Sequence, residues 1–126
     1  MKELITAIRS LPDEAPVLFE ITRDLMVVWR YAPDLETRCF FLDFEAGEIG
    51  GIDGFRTYVR NEARNAVKYY PYPALFKWSE ARALDRVYII PGYRDSGDLA
   101  GIQRDYTGFT ARALTNNLVE LVALEE

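Results

Sequence analysis

The chain has 126 residues, 49% hydrophobic and 13% aromatic, enough for one globular domain with its own core. It carries 15 basic and 20 acidic side chains for a net charge of −5, with no histidine and a single cysteine, Cys39. The missing histidine and the single cysteine exclude serine–histidine and cysteine–histidine catalysis and zinc sites built on histidine or several cysteines; no catalytic residue, metal or cofactor is assigned.

Residues 2–11, KELITAIRSL, place Leu4, Ile5, Ile8 and Leu11 at helical spacing and stop before Pro12, so a short first helix is predicted. PVLFEIT (16–22), DLMVVWRY (24–31) and TRCFFLDF (37–44) are rich in β-branched and aromatic residues, with turn-forming Arg23-Asp24 and Pro33-Asp34 between them. Three strands so closely joined predict an antiparallel meander. Cys39, directly before Phe40, Phe41 and Leu42, is expected to be buried within the third.

The segment 45–54, EAGEIGGIDG, reads as a turn whose Asp53 caps the next helix. It has neither the ligand spacing of a calcium loop nor the lysine of a phosphate loop. Residues 55–70 form the strongest helical pattern, with Phe55, Tyr58, Val59, Ala63, Ala66, Val67 and Tyr70 as the apolar stripe and Pro71 and Pro73 ending it. A second short helix is predicted over 74–84, a fourth strand over 85–92 and a loop over 93–108. The end, 109–124, fits a helix through Ala111, Leu114, Leu118 and Leu121 or a hairpin turning at Asn116-Asn117, and the helix is favoured.

The expected fold is a single α+β domain spanning 1–126. An antiparallel sheet, the meander plus at least one further strand, is packed by the central amphipathic helix and short terminal helices. The apolar runs are far shorter than the roughly 20 residues of a membrane-spanning helix, and the first residues do not resemble a secretory signal. The expectation is a cytoplasmic protein with no membrane partner.

Charge comes in blocks. Residues 1–54 carry eleven acids against five bases, residues 55–94 eight bases against three acids, and the remainder is acidic again. On the central helix Arg56, Arg60, Arg64 and Lys68 recur every four residues opposite the apolar stripe, a cationic ridge roughly 18 Å long. It is followed by KYYPYPALFKW, residues 68–78, in which Tyr70 belongs to the stripe while Tyr69, Tyr72 and Trp78 are candidates for exposure. Arginine, tyrosine and tryptophan are enriched at protein interfaces.

Arg56, Arg60, Arg64, Lys68, Tyr69, Tyr72 and Trp78 are therefore the candidate binding residues, and another protein is the expected partner. The function expected is a non-enzymatic protein-binding module such as a small acidic inhibitor, immunity-type or adaptor protein. Nucleic acid is the weaker expectation, because a chain at −5 repels polyphosphate at long range. The alternative is a small-ligand-binding or carboxylate-dependent enzyme. Its pocket would lie near the 93–106 loop, where Tyr93, Arg94, Asp95, Asp98, Arg104, Asp105 and Tyr106 cluster.

Overall fold

The three-residue strand β1, Val17–Phe19, is buried at every position. A strand with no exposed side chain belongs in the middle of a sheet covered on both faces. β1 pairs in parallel with β2 (Cys39–Asp43) on one side, Val17 opposite Cys39, and with β4 (Arg86–Ile90) on the other, Val17 opposite Tyr88. Strand β3 (Leu75–Lys77) adds in parallel to β2, while β6 (Leu118–Ala123) runs antiparallel to β4 and carries β5 (Phe109–Thr115) at the edge. The sheet order is β3-β2-β1-β4-β6-β5. This computed structural model describes residues 2–51, 54–69, 75–92 and 98–124.

Parallel neighbours cannot be joined by a tight turn; the chain must cross over one face of the sheet. Residues 24–31, expected as a strand, therefore lie in helix α2 (Thr22–Tyr31), and residues 16–44 do not form the expected three-strand antiparallel meander. The helical period was present beneath the β-branched composition: Leu25, Val28, Trp29 and Ala32 fall at i, i+3, i+4 and i+7, and all are buried. The C-terminal segment resolves the other way, into the β5–β6 hairpin that closes with Thr115 opposite Leu118. Four consecutive residues of β6, Leu118 to Leu121, are buried, which one amphipathic helix face cannot achieve.

Helices divide between the two faces. The first, α1 (Lys2–Arg9), joins α2 and α3 (Gly54–Ala66) over the face that presents Val17, Phe19, Cys39, Phe41, Tyr88 and Ile90. The short α4 (Trp78–Ala81) and α5 (Leu99–Asp105) cover the opposite face, against Leu18, Leu42, Val87, Ile89, Val119 and Leu121. The result is one α+β domain with a mixed six-stranded sheet and, among the described residues, five α-helices. No described helix is long and apolar enough to cross a membrane.

The amino ends of β1, β2 and β4 are tied together by Asp13. Its carboxylate accepts from Arg86 Nη1 at 2.9 Å and from the Tyr88 hydroxyl at 3.2 Å, and its carbonyl accepts from Arg38 Nη2 at 2.5 Å. Burial pushes the Asp13 pKa up, but the hydrogen bonds from Arg86, the Ala15 amide and Tyr88, with the Arg86 charge, outweigh it and hold the pKa below its ordinary value. A carboxylate whose pKa falls on folding contributes stability above its unfolded pKa and loses it as pH drops through the folded value. Thermal unfolding followed from pH 6 down to about pH 2 should show the wild type losing more melting temperature below about pH 4 than Asp13→Asn. Parallel curves for the two proteins would remove Asp13 from the acid response.

Cys39 is fully buried, and that burial pushes its thiol pKa up to about 12. A thiolate so disfavoured reacts slowly. Native protein should label with a thiol reagent at least roughly tenfold more slowly than denatured protein; equal rates would place Cys39 at the surface.

Candidate functional site

On α3 the sequence stripe divides into two faces. At ~100° per residue, Arg56, Val59, Arg60, Ala63 and Val67 share one side, while Phe55, Tyr58, Glu62 and, through the 3₁₀ turn Val67–Tyr69 that extends the helix, Tyr69 share the other. The first side packs on the protein: Ala63 is buried and Arg56 is only 8% exposed. The second faces solvent, with Phe55 at 61%, Tyr58 at 60% and Tyr69 at 86% exposure. The expected polarity of the helix is thus inverted over much of its length. Its arginines turn inward and its aromatics outward.

The reason lies at the carboxyl end of β2, which presents the Asp43 carboxylate and the Phe44 carbonyl to α3. Arg64 Nε donates to Asp43 Oδ1 at 2.8 Å, and its Nη2 reaches Glu45 Oε1 at 2.8 Å and the Phe44 carbonyl at 3.1 Å. Arg60 Nη1 donates to the same carbonyl at 3.0 Å, with its guanidinium 5.1 Å from the centre of the Phe44 ring. Arg56 Nη1 stands 3.9 Å from Asp105 Oδ2, and both side chains are buried. Asp43 is a buried carboxylate, a costly group unless paired, and Arg64 supplies the pairing. Its hydrogen bond to Asp43 is the main cause of the raised Arg64 pKa. Lys68 Nζ, exposed, donates to Asn65 Oδ1 at 3.3 Å. The expected cationic ridge is therefore a clamp between α3, β2 and α5 over its three arginines.

The aromatic stretch also divides. Trp78 is 2% exposed and packs edge-on to Tyr106, ring centres 5.1 Å apart, and tilted against Phe109 at 5.4 Å. It is a core residue, because β3 passes straight into α4 and turns the indole under the sheet. Phe76 lies half-buried on Phe40 at 5.3 Å. Tyr69 keeps its expected exposure, whereas Tyr70 and Tyr72, like the proposed cap Asp53, lie outside the described residues.

A cleft opens where the carboxyl ends of β1 and β2 meet α3 and the end of α5. Open sheets bind ligands beside the point where strand order reverses, and β1 with its partners β2 and β4 forms that point here. The cavity volume is only ≈ 20 Å³, room for about one water. Its polar lining is Glu20, Thr22, Arg56, Arg60 and Tyr106, against walls of Phe19, Phe41 and Phe44.

Glu20 bridges the reversal: Oε1 accepts from the Gly92 amide at 3.0 Å, Oε2 from the Tyr106 hydroxyl, and the Glu20 amide donates to the Ile90 carbonyl at 3.2 Å. A Cβ on Gly92 would stand 2.1 Å from Ile21 Cγ1, so the two strand exits meet only through glycine. Asp105 fastens the other rim. Its carbonyl accepts from Gly50 at 3.0 Å, and Gly51, at φ +69°, leaves the space its carboxylate fills.

Of the polar cluster predicted over 93–106, Tyr106 thus lines this cleft and Asp105 stands behind its Arg56, at the end of helix α5 rather than on a loop. Asp98 instead caps α5 by accepting from Gly101 at 3.2 Å; Tyr93, Arg94 and Asp95 lie outside the described residues. Glu20 and Thr22 carried no motif, although an acid directly after a fully apolar three-residue strand was a signal. Chemically the cleft has room for a water-sized occupant beside the Glu20 carboxylate, which is already hydrogen-bonded to Gly92 and Tyr106. No known protein family, curated protein or solved structure matches the chain.

The clamp has a measurable consequence. Arg64→Ala leaves the buried Asp43 carboxylate without its guanidinium and should cost about 1–3 kcal/mol in denaturant unfolding, whereas Lys68→Ala on the same helix should stay within about 0.5 kcal/mol. Equal, negligible effects would return the arginines to the solvated surface.

Proposed function

We propose that the protein is a non-enzymatic protein-binding module, of inhibitor, immunity-type or adaptor character, acting in the cytoplasm, and that it docks through the outward face of α3. The observation that carries this reading is the exposure of Phe55, Tyr58 and Tyr69 along one face of α3 and the 3₁₀ turn that extends it. Aromatic rings offer large contact area at small entropic cost, and clustered exposure of this kind marks interaction sites. The docking residues are then Phe55, Tyr58 and Tyr69, with Lys68 at the flank. Arg56, Arg60 and Arg64 support the helix from behind.

The inward turn of these arginines also weakens the nucleic-acid reading, since the cations that would have followed a phosphate backbone are spent on Asp43, Glu45 and Asp105. One observation favours a small-ligand or carboxylate-dependent site, namely Glu20 and Tyr106 at the strand-order reversal. Space for little more than a water, and carboxylate oxygens bonded to Gly92 and Tyr106, favour it less than the exposed aromatic face.

The test is capture of partner from native lysate by immobilised protein, compared with Phe55→Glu/Tyr58→Glu. Recovery of the partner should fall at least roughly tenfold with an unchanged melting temperature, and wild-type capture should change little between about 0.1 and 0.5 M salt. Undiminished capture by the double variant would overturn the docking face.

A further inference from the structure

We infer that the partner this face fits is a second copy of the same chain, docked by antiparallel pairing of α3 on α3; the inference rests on the docking face proposed above. The face is nearly neutral in a chain of net charge −5, because its arginines point inward. What remains along the outward stripe is Phe55, Tyr58 and Tyr69, the carboxylate of Glu62 and the amides of Asn61 and Asn65, with Lys68 at the edge. Two acidic molecules meet most easily across their least acidic surface.

The order of residues is self-complementary under a two-fold axis, as an isologous interface requires. With the axis between the levels of residues 63 and 64, Tyr58 lies opposite Tyr69 of the second copy. Glu62 then faces the second copy's Asn65 and stands about one turn from its Lys68. Moving the axis to the level of Glu62 would set that carboxylate against itself, so charge selects the first register. Tyr58 is hydrogen-bonded to Glu62 one turn along the same stripe, which raises its phenol pKa. One helix pair buries less than the roughly 800 Å² per partner of a standard interface, so the dimer should form with a Kd on the order of 10–100 µM.

Sedimentation equilibrium on the full chain from roughly 5 µM to 1 mM spans that constant. The wild type should rise from monomer toward twice the monomer mass, and Tyr58→Glu should remain monomeric with the same melting temperature. Glu62→Lys and Lys68→Glu should each weaken association by about tenfold. The double variant should restore it, because the pair crosses between copies and lies too far apart on one helix to act within a chain. A wild type that is monomeric throughout, a dimer that survives Tyr58→Glu, or a double variant that fails to recover would each overturn the inference. If the wild type is monomeric while Phe55→Glu/Tyr58→Glu still abolishes capture of another protein, the docking face stands and the second copy falls.

Discussion

The parallel pairing of β1 with a neighbour on each side governs the rest of the architecture. Three buried residues accept β2 and β4 at once, and each parallel neighbour must be reached across a face of the sheet. α2 makes the crossing on one face, so the chain from Thr22 to Tyr31 is helical whatever its β propensity. The sheet then needs cover on the other face, which α4, α5 and Trp78 provide. The same pairing brings the exits of β1 and β4 side by side, where Glu20 and Gly92 join them.

Charge follows from that geometry. The acidic flanks and the basic middle of the chain meet around the sheet: Asp43 and Glu45 with Arg64, Asp105 with Arg56, and Asp13 and Glu120 with Arg86, while Arg112, cross-strand on β5, is a second partner of Glu120. Asp43, Asp105 and Glu120 are buried, so these contacts satisfy groups that would otherwise be costly to enclose. A helix whose arginines are engaged this way has its other face left for the aromatic residues. The outward position of Phe55, Tyr58 and Tyr69 is thus a consequence of where β2 ends.

This arrangement separates support from recognition on a single helix. Substitutions on the inner side act through stability, because they uncover Asp43 or disturb the Phe44 loop. Substitutions on the outer side leave the core untouched and act on association. The cleft at the strand-order reversal belongs with the supporting side, its polar groups hydrogen-bonded across the strand exits.

The sequence by itself determined the α+β class, the first helix, the strands around Val17–Phe19, Cys39–Asp43 and Arg86–Ile90, the burial of Cys39 and the existence of α3. These rest on local periodicity and on proline and glycine breaks, which act over one or two turns of chain. Tertiary structure decided what local pattern leaves degenerate. Residues 24–31 suited a strand or a helix until the parallel partner of β1 required a crossover, and 109–124 suited either until β4 offered an antiparallel neighbour. It also decided which side of α3 faces inward. The periodicity marked two sides, but arginine stems pack inward where carboxylates pair their heads, and the location of Asp43, Phe44 and Asp105 is set by how the sheet and α5 pack.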